Sequence, residues 1–171
     1  MGQSQGLIVF ACSAASSSAS SCSVETDLAI IGAGAAGLAA AIFAGEAARG
    51  RGLSILLLDG ARRPGAKILI SGGGRCNVTN DRVTEEDFWG GPRPIIRKVL
   101  RAFNAERTRA WMESLGVRLK TEPSGKCFPV TDQARTVLGA LLRRVEEVGV
   151  RLAAGTRVEE FEVGEQGFRL A

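Results

Sequence analysis

The feature that most constrains this chain is Gly32-Ala33-Gly34-Ala35-Ala36-Gly37, a G-x-G-x-x-G set between two apolar runs of different texture. The run before it, "DLAIIG", is short, apolar and closed by glycine, as expected of a strand buried in a parallel sheet. The run after it, "AGLAAAIFAGEAA", is rich in small residues and stopped by Gly50 and Gly52, which predicts a helix. A second apolar strand, "LSILLLD", follows and ends at Asp59. Strand, helix and strand in this order make a βαβ unit with an expected right-handed crossover. In such a unit each glycine has a mechanical use. Gly32 turns the chain off the strand, Gly34 leaves room for a pyrophosphate, and Gly37 lets the helix lie close on the sheet. Ala35 and Ala36 stand in the first turn, where unpaired N–H groups and the helix dipole favour an anion. Asp59 is placed to accept hydrogen bonds from both hydroxyls of an adenosine ribose, and its charge disfavours a 2′-phosphate. The motif does not choose between NAD and FAD, since both carry ADP.

A second glycine run, "ISGGGRCN", lies a little beyond Asp59. Consecutive glycines free their N–H groups to form an anion-binding concavity and let the chain lie flat against a ring. Ser71, Gly72, Gly73, Gly74, Arg75 and Asn77 are therefore candidate cofactor contacts. Arg75 suits a phosphate bidentately, and Asn77 and Thr79 suit polar ligand atoms. The competing reading is a surface loop with a solvated Arg75. Lys67 reads as a solvated strand-edge lysine. Cys76 reads as a small buried hydrophobe, with a low-pKa thiolate as the alternative; Cys127, in an apolar strand, reads as packing. Glu113, Glu122 and Asp132 read as solvated carboxylates, and no general base stands out.

The rest of the chain falls into recognisable elements. "GPRPIIRKVLRAFN" and "AERTRAWMESLG" predict two helices, the first with Ile95, Ile96, Leu100 and Phe103 on a face to be buried. Its Arg93, Arg97, Lys98 and Arg101 read as a solvated face. "VRLKTEPSGKCFPV" predicts two strands about a turn. "DQARTVLGALLRRVEEVG" predicts a helix with Thr131 or Asp132 as cap and Val137, Leu138, Leu141, Leu142, Val145 and Val148 as its apolar stripe. "VRLAAG", "RVEEFEVG" and "GFRLA" read as three strands. The fold class is α/β, a parallel dinucleotide-binding sheet with a small β-meander, and too few parallel strands to be complete.

Composition removes several chemistries. The chain has no histidine, which excludes Ser-His-Asp and Cys-His catalysis and any histidine-held metal within it. Its four cysteines, Cys12, Cys22, Cys76 and Cys127, form no Cys-x-x-Cys pair, so no zinc or dithiol motif is visible. The net charge of +4 is dispersed, which argues against a nucleic-acid partner, no run is long enough to span a membrane, and neither nucleic acid nor a membrane is expected as a partner. Residues 1–25 are almost uncharged and rich in serine and alanine, and read as a disordered tail or a targeting segment. The compartment is accordingly open: cytoplasmic, or organellar, with a plastid as one option, if the tail is a targeting segment.

"DLAIIGAGAAGLAAA" followed by "KILISGGGRCNVTN", with "GKCFPVTDQA" later, resembles the aminoacetone oxidase-like (BaiN-type) family of Rossmann flavoproteins. The family's paired basic residues before the second loop are incomplete here, where Gly65-Ala66-Lys67 stands; the likeness covers residues 26–171. It implies FAD as cofactor, with Lys67 as a further cofactor or substrate contact; a nicotinamide nucleotide, NAD(P)H, is the expected electron partner and a small molecule the expected substrate. It also implies a longer protein, of which residues 26–171 form the N-terminal part of the FAD-binding domain with an excursion over 81–130. The expected function is the FAD-binding portion of a flavin-dependent oxidoreductase, with 1–171 alone inactive and binding FAD weakly or not at all. The alternatives are an NAD-dependent dehydrogenase domain, a non-catalytic dinucleotide-binding remnant, and a flavoprotein acting on nucleic acid.

Overall fold

The computed structural model describes residues 7–11, 23–165 and 167–171. In chain order its strands and helices are β1 (Leu7–Ala11), β2 (Ser23–Thr26), β3 (Leu28–Ile31), α1 (Ala35–Ala48), β4 (Ile55–Asp59), α2 (Ala66–Ile70), β5 (Thr79–Asn80), α3 (Arg93–Ala102), α4 (Ala105–Ser114), β6 (Leu119–Thr121), β7 (Lys126–Pro129), α5 (Ala134–Glu147), β8 (Arg151–Ala154), β9 (Phe161–Gly164) and β10 (Gly167–Leu170). They form two compact units, residues 1–65 with 142–171, and residues 66–141.

The first unit is built on the predicted βαβ. β3, β4 and β8 make a parallel sheet in that order, with Ile31 opposite Leu58 and Asp59 opposite Ala154. Ile55 to Leu58 are buried without alternation, as a central parallel strand requires. α1 buries Leu38, Ala41, Ile42 and Gly45, one face at helical spacing. Gly45 permits that contact. A Cβ there would stand 2.4 Å from Val148 Cγ2, closer than any real packing allows. Arg144, in the C-terminal part of α5, reaches Glu46 of α1 at 2.6 Å. A second sheet, ordered β2-β1-β10-β9, is antiparallel except where β1 runs parallel to β10. Leu56, Leu58 and Leu170 form one cluster with Val24, Ala29, Ala153 and Val158 around it.

The second unit holds α2, α3, α4 and a small antiparallel sheet ordered β5-β7-β6. Phe128 and Cys127 of β7 are buried there, as are Met112, Leu115 and Val117 at the end of α4 and beyond it. The burial of Cys127 agrees with its reading as packing.

Three expectations change. Residues 1–25 read as a tail, yet β1 and most of β2 lie in that stretch; "LIVFA" is an apolar pentapeptide that becomes a strand once β10 and β2 supply partners. The remainder of the serine-rich stretch, with Cys12 and Cys22, lies outside the described residues. Second, the run holding Lys67 is helical, not a strand edge: four apolar residues without alternation cannot choose their own period. Third, α3 forms as predicted but buries none of its residues, leaving Ile95 60% exposed. Of α5's stripe, Val137, Leu138, Leu141 and Val145 are buried.

Candidate functional site

The dinucleotide motif folds as its glycines demand. Gly32 takes φ +98, a turn that side-chain-bearing residues rarely adopt. A Cβ on Gly37 would fall 1.7 Å from the Gly32 carbonyl oxygen and 3.7 Å from Leu57 Cδ1, so the helix sits where only glycine fits. Gly34 is different. It is the N-cap of α1 with ordinary extended angles, and a Cβ added there meets no protein atom within 4 Å. Protein packing therefore does not explain this glycine, and the space beside its backbone is open. No side chain caps α1 and no acid stands in its first turn, so no side chain competes for the N–H groups of Ala35 and Ala36.

Asp59 closes the site from the end of β4. Its Oδ2 accepts a hydrogen bond from the Ala33 N–H at 2.6 Å, and its Oδ1 accepts one from the Ala61 N–H at 2.7 Å. The carboxylate thus holds the glycine turn and the following loop at once, a role its position in the sequence did not disclose. Each oxygen keeps a further lone pair, so accepting from a ribose remains open to it. The Gly65 N–H adds a bond to the Ala33 carbonyl at 3.0 Å, fixing the next peptide, so that Ala33 is held on both sides.

In the second unit the other candidate loop follows α2. Lys67 is exposed on that helix. Ser71 donates its hydroxyl to the Ile68 carbonyl at 2.9 Å, and the Cys76 N–H donates to the Ser71 carbonyl at 2.9 Å, closing a tight turn. Gly72, Gly73 and Gly74 all have positive φ, and a Cβ on Gly72 would come within 2.8 Å of Phe128 Cε1. Gly73 opens onto free space, and Asn77 is exposed. Cys76 itself takes φ 64. It is buried, and burial pushes its thiol above the ordinary value, against a reactive thiolate and in line with packing.

Arg75 is partly exposed but is not a free cation. Its guanidinium lies 3.9 Å from the centre of the Phe128 ring, donates to Glu122 at 2.6 Å and stands 3.7 Å from Asp132. Glu122 and Asp132 are accordingly partners of Arg75 rather than free surface acids. Asp132 also pairs with Lys120, which holds its carboxyl below the usual range. The bond to Glu122 raises the Arg75 pKa further. Sequence reasoning missed these partners because they are 47 and more residues away; the one available signal was the later segment "GKCFPVTD", which supplies Phe128 and Asp132.

Residues 26–171 match the family model described as the HI0933-like protein Rossmann domain. The chain is 36% identical over 140 residues to the 3-dehydro-bile acid delta(4,6)-reductase of Clostridium scindens, a match covering 81% of this chain and 33% of that protein. It is 32% identical over 144 residues to the ribosomal RNA dihydrouridine synthase of Escherichia coli, covering 84% of this chain and 35% of the relative. The chain thus spans about a third of the length of the curated relatives it matches. Among solved structures, a 3-ketosteroid-delta4-(5alpha)-dehydrogenase of Rhodococcus jostii superposes with TM-score 0.57 at 16% identity, over 85% of this chain and 44% of the other. THI4 of Thermovibrio ammonificans gives 0.53 at 14% identity, over 85% and 45%. These two likenesses are of fold.

Proposed function

The chain belongs to the HI0933-like Rossmann family of FAD-binding proteins, and from that premise we propose that Gly32 to Gly37 with Asp59 take the ADP moiety of FAD. The observation that carries the reading is the pairing of Asp59 with the Ala33 N–H beside a Gly34 that no protein atom crowds. The residues present fit the group. The α1 N-terminus meets the pyrophosphate with N–H groups, Gly34 leaves it room, and Asp59 offers its remaining lone pairs to the ribose. When bound, FAD supplies hydride transfer at its ring. The chain's part here is to bind and orient. Asp59 keeps the turn in shape before the ligand arrives, and its charge keeps a 2′-phosphate away. In the second unit, the open backbone at Gly73 and the exposed Asn77 support the reading of Ser71 to Asn77 as further cofactor contacts; Arg75 serves that loop as a brace.

We read the whole protein as a flavin-dependent oxidoreductase drawing electrons from NAD(P)H. The relatives' names, a reductase and a dihydrouridine synthase, both describe products that have gained hydrogen, which favours reduction of a carbon–carbon double bond in a small molecule. A second reading, reduction of an RNA base, rests on the Escherichia coli relative. A salt-sensitive RNA affinity separates the two.

Backbone amide NMR of the chain titrated with ADP tests the cofactor reading. Shifts should concentrate at residues 32–37 and at Ala61. Asp59→Asn should weaken ADP binding, since the amide turns one acceptor into a donor facing an N–H. Absence of shifts at the glycine turn with millimolar ADP would sink the reading.

A further inference from the structure

α3 carries an arrangement the cofactor site does not use. On a helix of 3.6 residues per turn, Ile95, Ile96, Val99 and Leu100 share one face. Arg93, Arg97, Lys98 and Arg101 share the opposite face, and there is no acid between Arg93 and Ala102. The sequence predicted that the apolar face is buried; instead Ile95 and Val99 are each 60% exposed, Ile96 and Leu100 are only half-buried, and no residue of the helix is buried. Just upstream, Trp89 is 90% exposed and Phe88 46%. The nearby acids cancel part of the basic face: Glu85 pairs with Arg97 at 2.7 Å, and Glu86 and Asp87 stand on the same turn, Asp87 accepting from the Thr84 N–H at 2.8 Å, which leaves Arg93, Lys98 and Arg101 without an ion-pair partner among the described residues.

We propose that α3, with Trp89 ahead of it, is a docking element for an anionic lipid surface. The geometry is that of an interfacial helix: an apolar stripe with Arg93 and Lys98 at its two edges, where long cationic side chains lay their stems along acyl chains and keep their charges at phosphate level. Trp89 suits the same depth. The helix lies on such a surface and does not cross it, for no helix among the described residues is long and apolar enough to span a membrane. Charge complementarity selects this occupant over the others. A second copy of α3 would bring the unpaired Arg93, Lys98 and Arg101 toward the same three cations. An RNA strand would satisfy the cations yet leave Ile95 and Val99 in water. The proposal is independent of the cofactor reading and revises the expectation that the chain has no membrane partner.

Co-sedimentation of the chain with phosphatidylcholine vesicles, with and without about a quarter phosphatidylserine, tests it. The chain should pellet with the anionic vesicles and stay in solution with the neutral ones, and tryptophan emission should shift to the blue on binding. Lys98→Gln with Arg101→Gln should weaken partitioning by about five-fold for each cation. Ile95→Ser with Val99→Ser should weaken it at least ten-fold. Because these side chains are exposed, circular dichroism of both variants should match the parent. Trp89→Phe should remove most of the emission shift and leave most of the binding. Equal binding to neutral vesicles, no binding to anionic ones, unchanged binding of the Ile95/Val99 variant, retention by RNA alone, or self-association through the same residues each overturns the proposal.

Discussion

Gly34 and Gly37 belong to one motif, yet the structure assigns them opposite reasons for being glycine, and alanine at each position separates those reasons. A Cβ on Gly37 falls 1.7 Å from the Gly32 oxygen and 2.9 Å from its carbonyl carbon. Both are backbone atoms of a turn that Asp59 holds by the Ala33 N–H, so neither can move aside cheaply. α1 must slide off the sheet instead, loosening Leu38, Ala41 and Ile42, which are wholly buried. Overpacking of this kind costs about 3 kcal/mol at the upper end. Alanine's better helix propensity returns about 1 kcal/mol, leaving Gly37→Ala destabilised by about 2 kcal/mol. For a chain of this size that lowers Tm by about 4–8 °C. Gly34→Ala meets no atom and adopts its angles freely. Its lower unfolded-state entropy gains about 0.4–1 kcal/mol, and the poorer N-cap costs a similar amount, so stability should stay within about 0.5 kcal/mol of the parent. Urea unfolding followed by circular dichroism reads both changes, and ADP titration of each folded variant reads the ligand effect. Gly34→Ala should keep its midpoint and lose ADP affinity. A stable Gly37→Ala, or a Gly34→Ala that unfolds early while binding ADP normally, would refute the division of roles.

Arg75→Ala should lower the urea midpoint modestly, because the ion pairs are partly exposed and screened while the stack on Phe128 is lost with them. Arg75→Lys should cost about half as much, because the planar stack is lost while a charge remains; equal stability of all three chains in urea would show that Arg75 is no brace. Acid should weaken both units. Asp27 is held below its usual pKa first by the backbone N–H of Ser54 and then by its hydroxyl, and Asp132 first by Lys120. A depressed folded pKa gives stability that is present above the unfolded value near pH 3.9 and is lost as pH falls through the folded one. Urea midpoints should therefore hold down to about pH 5 and drop below about pH 4, and Asp27→Asn should flatten that drop; an unchanged slope in the variant would contradict the assignment.

The parts of this molecule that could be read from its sequence are those fixed by near neighbours. An apolar run ending in Gly32 has one way to leave a sheet and enter a helix, and Gly37 had to be small because that helix returns over its own turn. Asp59 could be seen as an acid at a strand end, but not as the acceptor of the Ala33 N–H. That bond spans 26 residues and depends on β3 and β4 pairing with Ile31 opposite Leu58. Arg75 was visible as a cation beside glycines, while its partners arrive through β5-β7-β6 pairing, which brings Thr79 opposite Cys127 and Cys127 opposite Thr121. The helical state of Lys67 to Ile70 was hidden for a different reason, since so short an apolar run carries no period at all.

α3 marks a further limit. Periodicity reports that a helix has an apolar face and says nothing about what covers it. The same pattern serves a core helix and an interfacial one, and only the exposure of Ile95 and Val99 distinguishes them. Asp59 poses the corresponding question at the other site, because a carboxylate at a strand end can serve ligand or backbone. Here it already serves the backbone through both oxygens. Ligand binding at this turn should therefore depend on Asp59 twice, through the bonds it offers and through the loop shape it maintains. Asp59→Glu tests that dependence: the longer side chain keeps the charge but displaces the carboxylate from the Ala33 and Ala61 N–H groups. It should lower stability by about 1.5–3 kcal/mol, the worth of one hydrogen bond to a charged group, and lower ADP affinity as well. A glutamate variant that binds ADP as tightly as the parent while losing stability would show that only the charge, and not the held loop, matters to the ligand.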